Sequence, residues 1–127
     1  MKLGISSSAR DAVLAHARAQ QPREACGLLV GSSGQISRVV MADNVAARPE
    51  GAFEIDPATL LRVHREVRGA GEVVLGHYHS HPNGRAEPSR TDAARAVTDG
   101  QVWMIVADDA LTAWTMTATG FAPVELA

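Results

Sequence analysis

Apolar and polar positions follow two different periods along this chain, and the alternation between them predicts interleaved strands and helices. Residues 1–6 alternate as a short strand; Ser7 or Ser8 then offers an N-cap to a helix running to about Gln20, with Val13, Leu14 and Ala17 at helical spacing. Gln21-Pro22-Arg23 breaks that helix. Residues 25–31 form a continuous small and apolar run, the pattern of a buried strand, and residues 35–42 alternate as its hairpin partner across Ser32-Ser33-Gly34. Residues 43–51 collect Asn, Arg, Pro and Gly and read as a loop, followed by a short strand over residues 53–56. Asp56-Pro57 pairs an N-cap acid with proline at the first helical position, so a helix starts there and runs to about Gly69. Its apolar face is expected to hold Leu60, Leu61, Val63, His64 and Val67. A strand over residues 72–80 ends at His81-Pro82-Asn83-Gly84, and Ser89 opens a helix to about Asp99-Gly100. Residues 102–107 and 112–116 make a hairpin around Asp108-Asp109, and residues 123–126 a last strand.

Strands interleaved with helices give an α/β or α+β class, and the hairpins make its single central sheet mixed, with helices flanking it. A length of 127 residues predicts one domain spanning residues 1–127. The net charge of −2 is spread along the chain, so no basic stripe for a nucleic-acid backbone is present. Only Cys26 carries a thiol, which excludes an internal disulfide and a multi-cysteine zinc knot and fits a reducing compartment. The first residues lack the apolar core of a signal peptide, and no stretch approaches the ~20 apolar residues of a membrane span. A cytoplasmic protein without membrane or nucleic-acid partners is therefore expected.

The chemistry concentrates in Gly76-His77-Tyr78-His79-Ser80-His81-Pro82 and in Ser89-Arg90-Thr91-Asp92. Side chains two apart on a strand share a face, so His79 and His81 project together at the strand's end, ~6–7 Å apart at Cα, and can converge on one ion. Asp92, in the first turn of the next helix, can add a carboxylate oxygen. Two His and one acid leave one corner of a tetrahedral zinc open, as catalytic sites do. His77 lies on the same face, so spacing alone does not select the pair. His79 and His81 are favoured because they are nearest the loop and the acid, which makes His77 a pocket residue behind them. A solvated polar strand face remains the alternative for the histidines, and a plain capped helix start for Ser89 and Asp92.

His79-x-His81-Pro82, seven residues to Ser89 and two more to Asp92 resemble the JAMM signature H-x-H-x(7)-S-x-x-D. Upstream, Glu24-Ala25-Cys26-Gly27-Leu28-Leu29-Val30-Gly31 resembles the same family's E-x-C-G-L-L-x-G segment, and Phe53-Glu54-Ile55-Asp56-Pro57 resembles its connection into the second helix. The resemblance runs from about Ile5 to Trp114, in the family's order. It implies an MPN/JAB-like fold of cytidine-deaminase-like architecture in a compact prokaryotic member. It also implies one zinc ion on His79, His81 and Asp92, Glu24 as the general base, and Ser89 as the hydrogen-bond donor to the oxyanion. The implied reaction is hydrolysis of a peptide or isopeptide bond. Its substrates would be adducts at the C-terminal Gly-Gly tail of ubiquitin-like or sulfur-carrier proteins, with the tail laid along a sheet edge. Arg48 and Arg85, in polar loops, are candidates to face the carrier. Family members commonly place an aromatic such as Trp where His77 stands.

Other readings are weaker. Cys26 lies inside an apolar strand and reads as structural rather than nucleophilic. His16 and His64 lie in helices and read as surface or edge residues; Trp103 and Trp114 read as core. A zinc deaminase would need H-x-E and P-C-x-x-C, and one cysteine cannot supply that. A catalytically silent MPN-type scaffold is the rival to the enzyme, although all five motif positions are intact here.

Overall fold

Residues 2–127 are described by a computed structural model, and their elements are β1 (Lys2–Ile5), α1 (Ser7–Gln20), β2 (Cys26–Ser32), β3 (Gln35–Ala42), α2 (Pro57–Arg68), β4 (Val73–Ser80), α3 (Arg90–Arg95), β5 (Val102–Ala107), β6 (Ala110–Thr117) and β7 (Gly120–Leu126). The strands join in the order β1-β3-β2-β4-β5-β6-β7. The sheet is mixed: β1 runs parallel to β3 and β4 parallel to β5, while β2 is antiparallel to both β3 and β4. β1 also meets β7 in parallel, through Lys2↔Glu125 and Leu3↔Leu126, which curls the sheet closed. Among the described residues no helix is long and apolar enough to cross a membrane.

β2 and β5, on either side of β4, are almost wholly apolar because both faces of the sheet are covered there. Every residue of β5, and all of β2 except Ser32, is buried. On one face Ala9, Val13 and Ala17 of α1 pack on Leu29, Ile36, Tyr78, Met104 and Val106. On the other, Val63 and Val67 of α2 pack on Leu28 and Val30. Leu60 and Leu61, expected in that apolar face, are 37% and 52% exposed, because only the Val63–Val67 stripe of α2 reaches the sheet.

Several element ends differ from the sequence expectation, each for a local reason. α1 is capped by Ser6, whose Oγ accepts from the Ala9 N–H at 3.2 Å, rather than by Ser7 or Ser8. α3 stops at Arg95, well short of Asp99-Gly100. The Asp99 carboxylate accepts from the Gln101 N–H and Gly100 takes a positive φ, so this stretch turns instead of coiling. The strand expected over residues 53–56 is a single bridge, Asn44↔Ile55. β7 starts three residues early, at Gly120, and accommodates Pro123 where β1 does not reach its outer side. The closed sheet also limits where an extended tail could add a strand. β1 covers β3 and β7 over two residue pairs each, so only partial edges of those two strands stay free.

Candidate active site

β4 ends between β2 and β5, with Cys26 and Ile105 as the neighbours of His79. The two residues flanking Ser80 therefore leave the sheet side by side. Ser80 itself fastens the junction: its Oγ accepts from the Ala25 N–H at 2.7 Å, and its N–H donates to the Ala25 carbonyl at 3.0 Å. That pair holds Glu24, just before β2, beside the histidines. Asp92 arrives from α3, whose start is a reciprocal capping box. Ser89 Oγ accepts from the Asp92 N–H at 3.0 Å, and the Ser89 N–H donates to Asp92 Oδ2 at 2.9 Å. The plain helix-cap reading is thus realised, and the Ser89 hydroxyl still has its own proton to donate.

His79 Nε2, His81 Nε2 and Asp92 Oδ2 form a closed triangle with edges of 3.0, 3.1 and 3.2 Å. All three residues are buried. Ionised, the Asp92 oxygen can only accept, and each Nε2 either donates or accepts, so at least one of the three contacts must pair like with like. With Asp92 ionised, no placement of protons on the two imidazoles satisfies all three contacts, whereas a cation in the centre satisfies all three atoms at once. The size also fits: donors ~2.0–2.1 Å from a tetrahedral zinc stand about 3.3 Å apart. His81 Nδ1 donates to the Arg85 carbonyl at 2.7 Å, which turns the Nε2 lone pair towards the triangle.

A second carboxylate faces the same imidazoles. One oxygen of Glu24 and one ring nitrogen of each histidine lie within 4.8 Å of one another, so Glu24, like Asp92, is placed to meet a cation there. The two acids are held differently. Burial would raise the Asp92 carboxyl, but the hydrogen bonds from His79, His81 and the Ser89 backbone outweigh it and hold it far below the carboxylate range. Glu24 is 6% exposed, its Oε1 is buried with no hydrogen-bond partner, and burial lifts its pKa from 4.5 to about 7. Asp92 is thus held as an anion, while Glu24 is held so that it takes up a proton more readily than an ordinary carboxylate. Between them Glu24, Glu50, His81, Asn83, Ser89 and Thr91 line a cleft of about 110 Å³.

His77 shares the face but not the triangle. Its ring centroid is 6.3 Å from that of His79 and 4.4 Å from that of Trp103, and burial pushes its pKa down to about 3. Cys26 is buried, and burial lifts its thiol to about 12, so no thiolate is available at neutral pH. His64, Arg48 and Arg85 have exposed side chains. Trp103 is in the core at 7% exposure, and Trp114 is only half-buried. His16 departs from the surface or edge position expected of it: it is buried, with Nδ1 2.8 Å from the hydroxyl of Tyr78. Its ring lies on the side of α1 that packs on the sheet, and the phenol satisfies it there.

Two organising residues escape sequence reasoning. Asn44, buried in the loop after β3, donates from Nδ2 to the carbonyls of Glu24 (2.9 Å) and Ala52 (3.0 Å), while its Oδ1 accepts from the N–H groups of Ala46 and Glu54. It ties Glu24 to the 43–56 segment, and a lone Asn in a polar loop carries no sign of that task. Phe53 is the other, stacked on His79 with ring centroids 4.2 Å apart.

Residues 6–117 match the family described as prokaryotic homologs of the JAB domain. The chain is 37% identical to a desampylase of Haloferax volcanii, covering 99% of this chain and 96% of that one. It is 36% identical to a CysO-cysteine peptidase of Mycobacterium bovis, covering 82% and 72% respectively. A protein of Desulfitobacterium hafniense solved in solution superposes with a TM-score of 0.89 at 29% identity, covering 100% of this chain and 92% of that one. With its signature segments, its mixed sheet and its paired histidines all in the expected order, this chain belongs to the prokaryotic JAB-domain family.

Proposed function

We propose that the protein is a zinc-dependent hydrolase of peptide or isopeptide bonds, acting on adducts at the C-terminal Gly-Gly tail of a ubiquitin-like or sulfur-carrier protein. The observation that carries the reading is the triangle of His79, His81 and ionised Asp92, which no placement of protons on the imidazoles satisfies, with an unpartnered Glu24 oxygen beside it. The similarity to a desampylase and a CysO-cysteine peptidase supports the hydrolase class and the carrier substrate. Residues 1–127 are read as one such domain. The single, buried thiol suits a reducing cytoplasm.

His79, His81 and Asp92 would hold the ion, each through one atom. Bound there, zinc would acidify water towards neutrality and polarise the scissile carbonyl. Glu24, whose Oε1 has no other partner, would accept the proton of the attacking water and pass it to the leaving amine. The Ser89 hydroxyl, with its oxygen engaged in the helix cap, donates its own proton as a hydrogen bond to the oxygen on which negative charge develops. A Gly-Gly tail suits so small a cleft, since it brings no side chains past Glu24 and Ser89.

The test is metal analysis of the purified protein with hydrolysis of a carrier whose terminal glycine is joined through an amide to an amine. About one zinc per chain is expected, lost in His79→Ala and Asp92→Ala, with release of free carrier by the wild type. Protein that takes up zinc stoichiometrically yet leaves every such adduct intact would favour the scaffold reading. Protein that takes up no zinc would remove the metal from the proposal.

A further inference from the structure

Histidines that hold a metal are almost always oriented by a hydrogen bond from their other ring nitrogen. His81 follows that rule through the Arg85 carbonyl, but His79 does not: its Nδ1 is buried and has no partner. Its ring is set by aromatic faces instead. Phe53 stacks on it at 4.2 Å with the planes 17° apart, and Trp103 meets it edge-on at 5.9 Å and 87°. Stacked and edge-to-face contacts fix the plane of a ring, whereas an aliphatic neighbour of equal volume leaves it free to turn.

Phe53 is itself held. Arg95 donates from Nη1 to the Phe53 carbonyl at 2.5 Å, and its guanidinium carbon lies over the Phe53 ring, 5.7 Å from the centroid. Arg95 and Asp92 are three residues apart on α3, one helical turn. The same short helix therefore delivers a carboxylate to the imidazole pair and a clamp to the ring that stacks on one of them.

We infer that Phe53, clamped by Arg95, is the positioning residue of His79: its stacked ring takes the place of a hydrogen bond at Nδ1 and sets the affinity of the site for its metal. This rests on the zinc reading above. It gives the Phe53-Glu54-Ile55-Asp56-Pro57 segment a task besides starting α2. It also explains why residues 53–56 leave the strand ladder after one bridge: the ring is drawn inward to His79, at 8% exposure.

The experiment is zinc affinity by competition with a chromophoric chelator, measured beside the melting temperature of the metal-free protein. Wild type, Phe53→Leu, Phe53→Tyr, Arg95→Gln and His79→Ala are compared. Phe53→Leu should weaken zinc by about 10- to 100-fold, Arg95→Gln by less, and Phe53→Tyr, which keeps the ring, should stay within about threefold of wild type. A ring that only fills space predicts a lower melting temperature with unchanged affinity in the folded protein. Phe53→Leu binding zinc like the wild type, while His79→Ala has lost it, overturns the inference and leaves the zinc reading standing. If Phe53→Leu does not fold, Arg95→Gln decides: weakened zinc at an unchanged melting temperature supports the clamp, and unchanged zinc overturns it. A wild-type protein that binds no zinc overturns both.

Discussion

Tyr78 and the histidines on either side of it point to opposite faces of β4, and the two faces treat buried polar atoms in opposite ways. Towards α1, the Tyr78 hydroxyl and His16 Nδ1 are 2.8 Å apart, and each satisfies the other inside an otherwise apolar cluster. Towards the 43–56 segment, Glu24 Oε1, His77 Nδ1 and His79 Nδ1 are buried without partners, and these are the unpartnered buried side-chain atoms found among the described residues. An unpaired buried polar group typically costs about 1–3 kcal/mol, so a face carrying three is held together by its surroundings. One face of the strand is built for stability and the other is poised for chemistry.

The comparison is broken most severely at Glu24. Glu24→Gln should lower hydrolysis by about 10²- to 10⁴-fold while zinc stays bound, because the amide keeps the shape and loses the proton shuttle. The same change should stabilise the metal-free protein, and the gain should depend on pH. Since the folded pKa is raised from 4.5 to about 7, the folded state holds a proton that the unfolded chain has released. Wild-type stability therefore falls as pH rises from about 4.5 to 7, by at most about 1.4 kcal/mol per pH unit. Denaturant curves of both metal-free proteins at pH 5 and pH 8 should show the gap opening at the higher pH. A constant gap would mean that Glu24 is ionised at both.

On the stable face the largest effect is expected at Gly27, opposite Tyr78 in the β2·β4 pair. A methyl group there would stand 2.4 Å from a ring carbon of Tyr78 and 2.5 Å from the Val40 carbonyl oxygen. Neither the backbone oxygen nor the packed ring can yield cheaply, so Gly27→Ala should cost about 3 kcal/mol in chemical denaturation. Tyr78→Phe is milder. It strands the buried His16 nitrogen and should cost about 1–2 kcal/mol without changing zinc affinity. If it weakened zinc, the two faces would be coupled through the strand and the contrast between them would be lost.

Local rules carried the sequence reading a long way, and distant contacts set its limit. The period of two in residues 35–42 and the Asp56-Pro57 start each depend on neighbours in the chain, and β3 and α2 form there. The H-x-H spacing is equally local, and the strand brings the His79 and His81 nitrogens to 3.0 Å. Glu24 is different. Its role came from resemblance, because nothing in its own neighbourhood distinguishes it from Glu50 or Glu54. The isolation that raises its pKa comes from Asn44, Ser80 and the 43–56 segment, 19 to 56 residues away. His16 departs from its expected surface or edge position for the same reason, since its partner lies 62 residues on. The early end of α3 is partly visible in the sequence, because Asp99-Gly100 is a turn pair, but a Gly at that position also suits a helix end.

His77 offers the mildest test, since it shares the face of His79 yet lies outside the triangle of His79, His81 and Asp92. Its ring is packed against Phe53 at 5.3 Å and Trp103 at 4.4 Å, and burial keeps it neutral across the working pH range. Its unpartnered Nδ1 gives no stability in return for its burial. His77→Phe retains an aromatic ring of similar size and removes the stranded nitrogen, so it should stabilise the protein by about 1 kcal/mol or less. Zinc affinity should be unchanged, because the His79 and His81 nitrogens and the Asp92 oxygen are untouched. A loss of zinc in His77→Phe would mean that the third ring is a ligand and that the triangle does not mark the ion's true position. A loss of hydrolysis with zinc retained would instead place His77 against the substrate, at the wall behind Phe53 where Leu28, Val74 and Trp103 border a groove of about 260 Å³.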